Sequence, residues 1–383
     1  MAETDPDPAA ALAAIEVKFL QACASGNPSI VEGMLEDRSF DVNTIDSEGR
    51  SGLILAAGNG HFAVINVLLS NGAIWNLCDF HGQQAGDYAL EGSFDDIYSE
   101  IVNAGVRAEL LFAALGETGR EDTDANSGDM HDDDDDEADA DRERPAKRAR
   151  NEQRQIGYLE GRAVYTTDSK LLSDENYGAV MMEWEEPLMK MHADILCSRS
   201  AAGRNATVLN VGFGLGLIDG AIQALKPAHH VIIEAHPDVL RRMKEAGWMD
   251  MPNVTVLAGK WQDVMGYNET TGTSGCPFMF DAIFFDTYAE YYEDMREFHT
   301  MMTAYLNPGG VYTFFNGLGA TSQVAHDVAS RLVEVELNEV GFTVEWTSVP
   351  INVNPSVWEG VKQVYWKLSS YKLPVCLYPL QLA

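Results

Sequence analysis

The chain has 383 residues, with 59 acidic against 26 basic side chains and a formal net charge of −33. That balance excludes general adhesion to nucleic-acid phosphates and favours a basic partner; the length allows two or three domains with sizeable cores. No apolar run approaches the ~20 residues of a membrane span. With no basic start at the N-terminus, a soluble intracellular chain without membrane association is expected. Five cysteines (Cys23, Cys78, Cys197, Cys276, Cys376) show no C-x-x-C pairing and no nearby histidines, so they read as reduced thiols rather than a disulfide framework or a zinc site.

From about residue 17 to 113 the chain repeats itself. Asn43, Asp46 and Gly49 recur as Asn76, Asp79 and Gly82, and Ala56 as Ala89, each shifted by 33 residues. That is the ankyrin period. Leu53 to His61 followed by Val64, Val67, Leu68 and Leu69 reads as two short helices with small residues where they pack closely. Looser units at Val17–Leu35 and Gly86–Gly105 bring the count to about the three a stack needs. Two readings stand: a protein-docking surface, or a cap that stabilises its neighbour.

Residues 117–143 hold fourteen acids, Asp132 to Asp136 among them, and almost no large apolar residues. Such a stretch buries too little to order itself and predicts a linker. A basic cluster follows, with Arg142, Arg144, Lys147, Arg148 and Arg150 around Pro145. It reads equally as a nuclear import signal or as a solvated counterweight to the acids.

From about Gln155 strands and helices alternate. The pattern predicts strands at 208–211, 231–234, 254–257, 280–286 and 311–315, helices at 217–224, 239–246 and near 293–305, and a turn at 307–310. That is a parallel, doubly wound order. The first strand runs into Gly212, Gly214 and Gly216, where a side chain would hold a ligand away from the backbone N–H groups. Glu234 ends the next strand 22 residues beyond Gly212, where nucleotide folds place an acid for the ribose hydroxyls. A dinucleotide fingerprint would need a glycine at 217, which is Leu217. The compact spacing favours S-adenosylmethionine over a dinucleotide. Glu234 and Asp286 both end strands, so one crevice can hold them with the glycines.

Val180 to Met189 (VMMEWEEPLM), the glycine loop, Ile233-Glu234-Ala235-His236, Gly259 to Asp263 (GKWQD) and Phe285-Asp286-Thr287-Tyr288 recur in this order in guanidinoacetate methyltransferase and its relatives. The resemblance covers roughly residues 155–383. With the repeats, and with VMMEWE, GFGLGLID, EAHPDV and FFNGLGA, the chain resembles most closely the fungal-type protein arginine N5-methyltransferases, also called delta-N-methyltransferases. The resemblance implies an α/β fold: a Rossmann-like class I methyltransferase domain at 155–383, preceded by an all-α ankyrin-repeat domain at 1–115 and an acidic then basic linker at 116–154. It implies S-adenosyl-L-methionine as cofactor, with Phe213, Gly214, Leu215, Gly216, Leu217 and Ile218 wrapping it and Glu234 on the ribose. Ala235 and His236 would flank the adenine, Trp261 and Gln262 would close its pocket, and Met181 and Met189 would line the site. Tyr158 stands where the family has an aromatic lid. Met182 and Met191 are expected to be core fillers on an amphipathic helix.

The chemistry agrees with this transfer. A protonated guanidinium has no free lone pair, so two carboxylates facing its plane are needed to hold it and take the proton lost on alkylation. Glu185 and Asp286 match the family's carboxylates, and Trp184 and Tyr288 are aromatic candidates for holding a cation. The resemblance further implies a protein substrate of the large ribosomal subunit, with the glycines of Phe315–Ala320 leaving room for a peptide. The expected location is cytoplasm and nucleus. Asn210 stands where many methyltransferases place an acid, which makes the contact to the cofactor's amino-acid end indirect. A small-molecule guanidino methyltransferase and a non-catalytic ankyrin scaffold remain as alternatives.

Overall fold

The 33-residue period of the N-terminal region is one turn and one close helix contact, repeated. The computed structural model describes residues 8–36, 41–118, 157–166, 171–173, 178–268, 273–288, 292–362 and 364–380. The predicted linker from 119 onward and its basic cluster lie outside them. Two compact units are formed, Met1–Gly128 with Ser322–Leu332, and Asp129–Thr321 with Val333–Ala383.

The first unit holds three helix pairs: α1 (Pro8–Ser25) with α2 (Pro28–Glu36), α3 (Gly52–Gly58) with α4 (Phe62–Ser70), and α5 (Ala85–Glu91) with α6 (Asp95–Thr118). Asp46 Oδ1 accepts the N–H groups of Glu48 and Arg50, both at 2.9 Å, and Asp79 Oδ1 those of His81 at 2.8 Å and Gln83 at 2.9 Å. Each aspartate thus satisfies the donors of the same turn, which Gly49 and Gly82 complete at φ of 81° and 78°. Asn43 Oδ1 accepts from the Ile74 N–H at 2.8 Å, tying one loop to the next. Ala56 and Ala89 are fully buried, where a larger side chain would push the helices apart. Phe19, Leu53, Ile65, Leu68 and Ile101 fill the core between the pairs.

The second unit is built on a seven-stranded sheet: β1 (Thr207–Val211), β2 (His229–Glu234), β3 (Val254–Ala258), β4 (Phe280–Phe285), β5 (Leu306–Phe314), β6 (Thr343–Pro350) and β7 (Ser370–Leu377), in the spatial order β3-β2-β1-β4-β5-β7-β6. Helices α7 (Glu186–Arg199), α8 (Leu217–Ala224), α9 (Pro237–Glu245), α10 (Trp261–Met265) and α11 (Tyr292–Met302) connect or flank the strands, and α12 (Gln323–Glu339) is divided between the two units after Leu332. Val208, Leu209, Ile232, Ile283 and Phe284 are fully buried, because a parallel sheet carries helices on both faces.

Three expectations are corrected here. The parallel order holds from β1 to β5 and stops there. Helix α12 carries the chain across to β6, parallel to β5 but one strand-width away, and β7 fills the gap antiparallel to both. Among the described residues, the return through 351–369 contains no long crossover helix, so β7 re-enters the sheet in the opposite sense. The predicted turn at 307–310 lies inside β5, as a register shift between Leu306 and Val311 with Gly309 at φ 77°. Met191, expected in the core, is 39% exposed. Leu188, Met189, His192, Ala193 and Leu196 form the buried face of α7, and Met191 is out of phase with it.

The repeat turn carries a stability prediction. Asp79 accepts two backbone N–H groups and the Tyr88 hydroxyl, the latter at 2.7 Å. Asp79→Ala should cost about 1–3 kcal/mol by stranding those donors, and Tyr88→Phe clearly less. Urea titration of the full chain followed by circular dichroism reads both; an unchanged midpoint for Asp79→Ala would contradict this account.

Candidate active site

The C-terminal ends of β1, β2, β3 and β4 open onto one cleft, where a parallel α/β sheet collects its ligands. It encloses about 740 Å³ of space free of protein atoms, part of it open to solvent, within the usual range of about 300–1,000 Å³ for small-molecule sites. Val211, Gly212 and Gly214 line it after β1, Ile233, Glu234 and Ala235 at β2, Gly259 to Gln262 after β3, and Asp286 to Tyr288 after β4. Val180, Met181, Tyr158 and Leu159 complete the wall from the segment preceding the sheet.

The turn after β1 is possible only with glycine. Gly212 has φ 95°, and a Cβ there would lie 1.9 Å from the Asp286 carbonyl oxygen. At Gly214 a Cβ would lie 3.0 Å from Met181 Sδ. Gly212 donates to the Ile233 carbonyl and the Asp286 N–H to the Val211 carbonyl, both at 2.9 Å, so the loop is held between its two neighbouring strands. Below it the fully buried Asn210 donates through Nδ2 to the Gly212 carbonyl at 2.9 Å and to Asp219 Oδ1 at 2.8 Å. The acid bonded behind Asn210 is Asp219, from α8. It acts through Asn210 on the loop backbone.

Glu234 is 8% exposed, with Oε2 accepting the Phe213 N–H at 2.9 Å and Oε1 the His236 N–H at 2.7 Å. Burial pushes its carboxyl above the ordinary range and these backbone donors pull it back. The Tyr158 ring centroid lies 4.7 Å from those of both His236 and Tyr288. Trp261, at the start of α10, packs edge-on against Phe298 at 5.2 Å.

Glu185 immediately precedes α7 and is 2% exposed. Its Oε1 accepts the Met182 N–H at 3.2 Å and the Tyr365 hydroxyl, which in turn accepts from Trp184 Nε1 at 3.1 Å. Burial raises the Glu185 carboxyl to about 8, the nearby Asp286 charge adding to the effect and the two hydrogen bonds opposing it. Asp286 has part of its surface toward the cleft, yet loss of hydration raises it to about 7. Behind α7, His192 is fully buried and held neutral, its pKa lowered by burial to about 3. It bridges Thr313 Oγ1 at 2.7 Å and the Tyr371 hydroxyl at 2.9 Å, and that hydroxyl accepts the Asn316 N–H at 2.9 Å. The helix that presents Glu185 is thereby tied to β5 and β7.

Of the residues singled out from the sequence, Tyr158, Met181, Gly214, Glu234, Ala235, Trp261, Gln262 and Asp286 line the cleft. Glu185 does not line it, but the Asp286 charge reaches its buried carboxyl. Phe213 meets Glu234 through its backbone while its ring packs on Trp248 at 5.2 Å. The Leu215 N–H points to Met181 Sδ at 3.3 Å, and Gly216 caps α8 at φ 73°, just ahead of Leu217. His236 caps α9 through Nδ1, accepting from the Asp238 N–H at 3.1 Å. Met189 and Ile218 are fully buried in the core between α7, α8 and the sheet rather than on the cleft wall. Sequence reasoning passed over Lys260 and Thr287, which adjoin predicted residues at strand ends, and the position after a strand was the available signal. It also missed Tyr365, which no motif marks.

The family model of guanidinoacetate N-methyltransferase matches residues 150–340, and that of ankyrin repeats residues 34–89. A protein arginine N-methyltransferase 2 from Candida glabrata is 37% identical over 328 residues, 81% of this chain and 77% of that protein. Its namesake in Saccharomyces cerevisiae is 35% identical over 319 residues, 81% and 76% of the two chains. The chain belongs to this family. The protein arginine N-methyltransferase 2 of Yarrowia lipolytica is 43% identical over 230 residues, 58% of this chain and 47% of that protein. The protein is therefore a methyltransferase of the protein arginine N-methyltransferase family. The stretch matched by the guanidinoacetate model contains the glycine loop, Glu185 and Asp286, whereas Tyr365 lies beyond its end.

Two measurements follow from this geometry. Gly212→Ala drives a methyl group into the Asp286 carbonyl and should cost about 2–4 kcal/mol of stability, together with methyl transfer; thermal melting and a methylation assay read the two. The raised carboxyls give the second. Their folded values lie above the ordinary 4.5 and 3.8, so their stabilising contribution is full below the ordinary values and is lost as pH rises toward about 7 to 8. Glu185→Gln and Asp286→Asn should accordingly gain stability over the parent between pH 5 and pH 9, seen as an upward-shifting urea midpoint.

Proposed function

We propose that the protein transfers a methyl group from S-adenosyl-L-methionine to the internal (δ, N5) nitrogen of an arginine side chain in a protein. The observation that carries this is Asp286 on the wall of a cleft whose floor is a side-chain-free glycine turn, with the buried Glu185 near enough to feel its charge. The expected target is a protein of the large ribosomal subunit, which the resemblance to the delta-N-methyltransferases implies. A net charge of −33 suits so basic a partner. The repeats supply a docking surface for it, since a stack of this kind carries no catalytic groups of its own.

The residues present fit the cofactor. The cradle at Gly212, which a Cβ would fill, lets a ligand meet backbone, and Glu234 ends β2 with its carboxylate at the cleft wall. Glu234 would hold the ribose hydroxyls, and Ala235, Trp261 and Gln262 the adenine, with Tyr158 over them. Bound there, S-adenosyl-L-methionine supplies an electrophilic methyl group on a sulfonium.

Glu185 and Asp286 do the remaining work. In the free protein burial favours their neutral forms, and an arriving guanidinium cation restores charge to both by pairing with them. The planar cation is then fixed by hydrogen bonds from its N–H groups to the two carboxylates. Transfer of the methyl group to the internal nitrogen, with the sulfonium's C–S bond broken to leave a neutral thioether, would release that nitrogen's N–H proton, and one of these ionised carboxylates would accept it. Alignment of this kind lowers the barrier by several kcal/mol (about 7–11 at best) through proximity alone. A small-molecule guanidino substrate is the second reading, favoured by the match to the guanidinoacetate model.

Tandem mass spectrometry of an extract lacking the activity, incubated with the protein and labelled S-adenosyl-L-methionine, tests both. Label on the internal nitrogen of a protein arginine is expected; label confined to small molecules would select the second reading. Glu185→Gln and Asp286→Asn should each lower kcat/KM by about 100-fold or more, while cofactor affinity stays within a few-fold. Unchanged rates in both would overturn the mechanism. For the parent, kcat/KM should rise with pH through about 7 to 8 as the free protein's carboxyls ionise, and kcat should depend on pH less steeply because bound substrate has already drawn the protons off.

A further inference from the structure

The 351–369 connection between β6 and β7 lays Trp358, Tyr365 and Trp366 against Trp184, the neighbour of Glu185. The ring centroids of Trp184 lie 6.3, 6.0 and 5.9 Å from those of Trp358, Tyr365 and Trp366, and Trp358 stands edge-on to Tyr365 at 5.0 Å. Packing alone would explain rings in such a cluster. The hydrogen bonds add a direction that packing does not need.

An indole N–H only donates, so the Tyr365 hydroxyl must accept from Trp184 Nε1, at 3.1 Å. Its own proton is directed at Glu185 Oε1. The same oxygen accepts the Met182 N–H at 3.2 Å. With two donors aimed at Oε1, any proton that Glu185 carries is placed on Oε2, and Oε2 is the oxygen left to meet a ligand's donors. We propose that Tyr365 is a positioning residue: held by Trp184, it saturates Glu185 Oε1 and presents Oε2 to the substrate guanidinium. This rests on the reading of Glu185 as a guanidinium-binding carboxylate.

The hydroxyl also biases ionisation. A hydrogen bond donated to a carboxylate favours its charged form, and the buried Tyr365, beside the Glu185 charge, keeps its own proton to far above the ordinary tyrosine range. The other titratable groups around Glu185 are Asp286, at the end of β4, and Tyr371, from β7, whose hydroxyl feels both carboxylates. Neither takes the place of the Tyr365 hydroxyl, because the Tyr371 hydroxyl donates to the Phe314 carbonyl at 3.3 Å and meets the Asn316 N–H and His192.

Tyr365→Phe tests this, since it keeps the ring and its packing and removes only the oxygen. The acid limb of the kcat/KM profile should move up by about one pH unit, so that activity near neutrality falls about tenfold and recovers at high pH. Trp184→Phe, which frees the hydroxyl to turn, should move the limb in the same direction by less. A uniform loss at every pH, or an unmoved limb, would overturn the proposal. Infrared titration of the protonated-carboxyl band without substrate separates it from the functional reading. The band lost in Glu185→Gln should persist to about one unit higher pH in Tyr365→Phe. A band midpoint equal to the parent's would overturn the assignment whatever the protein methylates, whereas a shifted midpoint in a protein that labels no guanidino compound would sustain the positioning role and reject the substrate reading.

Discussion

No side chain fits between Gly212 and the carbonyl of Asp286, and the site is built around that approach. Parallel pairing of β1 with β4 brings the ends of the two strands level. The glycine turn can then lean on a residue that itself lines the cleft. The backbone that would cradle a cofactor and the carboxylate that would meet a substrate are set against each other by main-chain geometry. Asn210 and Asp219 add to this from below, holding the Gly212 carbonyl with buried side-chain hydrogen bonds.

The second constraint is electrostatic and costs stability. Glu185 and Asp286 are poorly hydrated, so burial favours their neutral forms. Such an arrangement is strained in isolation and relieved by a cation. A guanidinium is a planar cation with donors on every nitrogen, which is what two converging carboxylates can satisfy. The surrounding protein resists rearrangement: His192 and Tyr371 anchor α7 to the sheet, and Trp184 and Tyr365 hold one oxygen of Glu185. The cost of keeping the pair together is met by the packed core of α7, α8 and the sheet, where Met189, Leu196 and Ile218 are fully buried. Met189 contributes to the site by positioning α7.

Much of this was legible from the residues because it is local. A 33-residue shift of Asn, Asp and Gly specifies one turn repeated, since each aspartate bonds N–H groups two and four residues ahead of it. Apolar runs of strand length ending in Gly212, Glu234 and Asp286 specified parallel strands and the end at which the cleft opens. What was not legible came from distance in the chain. The antiparallel β7 depends on α12 leaving a gap beside β5, and a register shift lets 307–310 continue a strand that the Asn-Pro-Gly-Gly composition would break.

By itself the sequence determined the repeat, the parallel half of the sheet and the chemical types at its strand ends. Those follow from backbone preferences and side-chain periods that act over a few residues. The tertiary structure alone decided that Glu185 and Tyr365, 180 residues apart, share a hydrogen bond, that Asp219 stands behind Asn210, and that Asp286 presses on Gly212. Hydrogen bonds and desolvation act over a few ångströms of space, and only folding sets which residues lie that close.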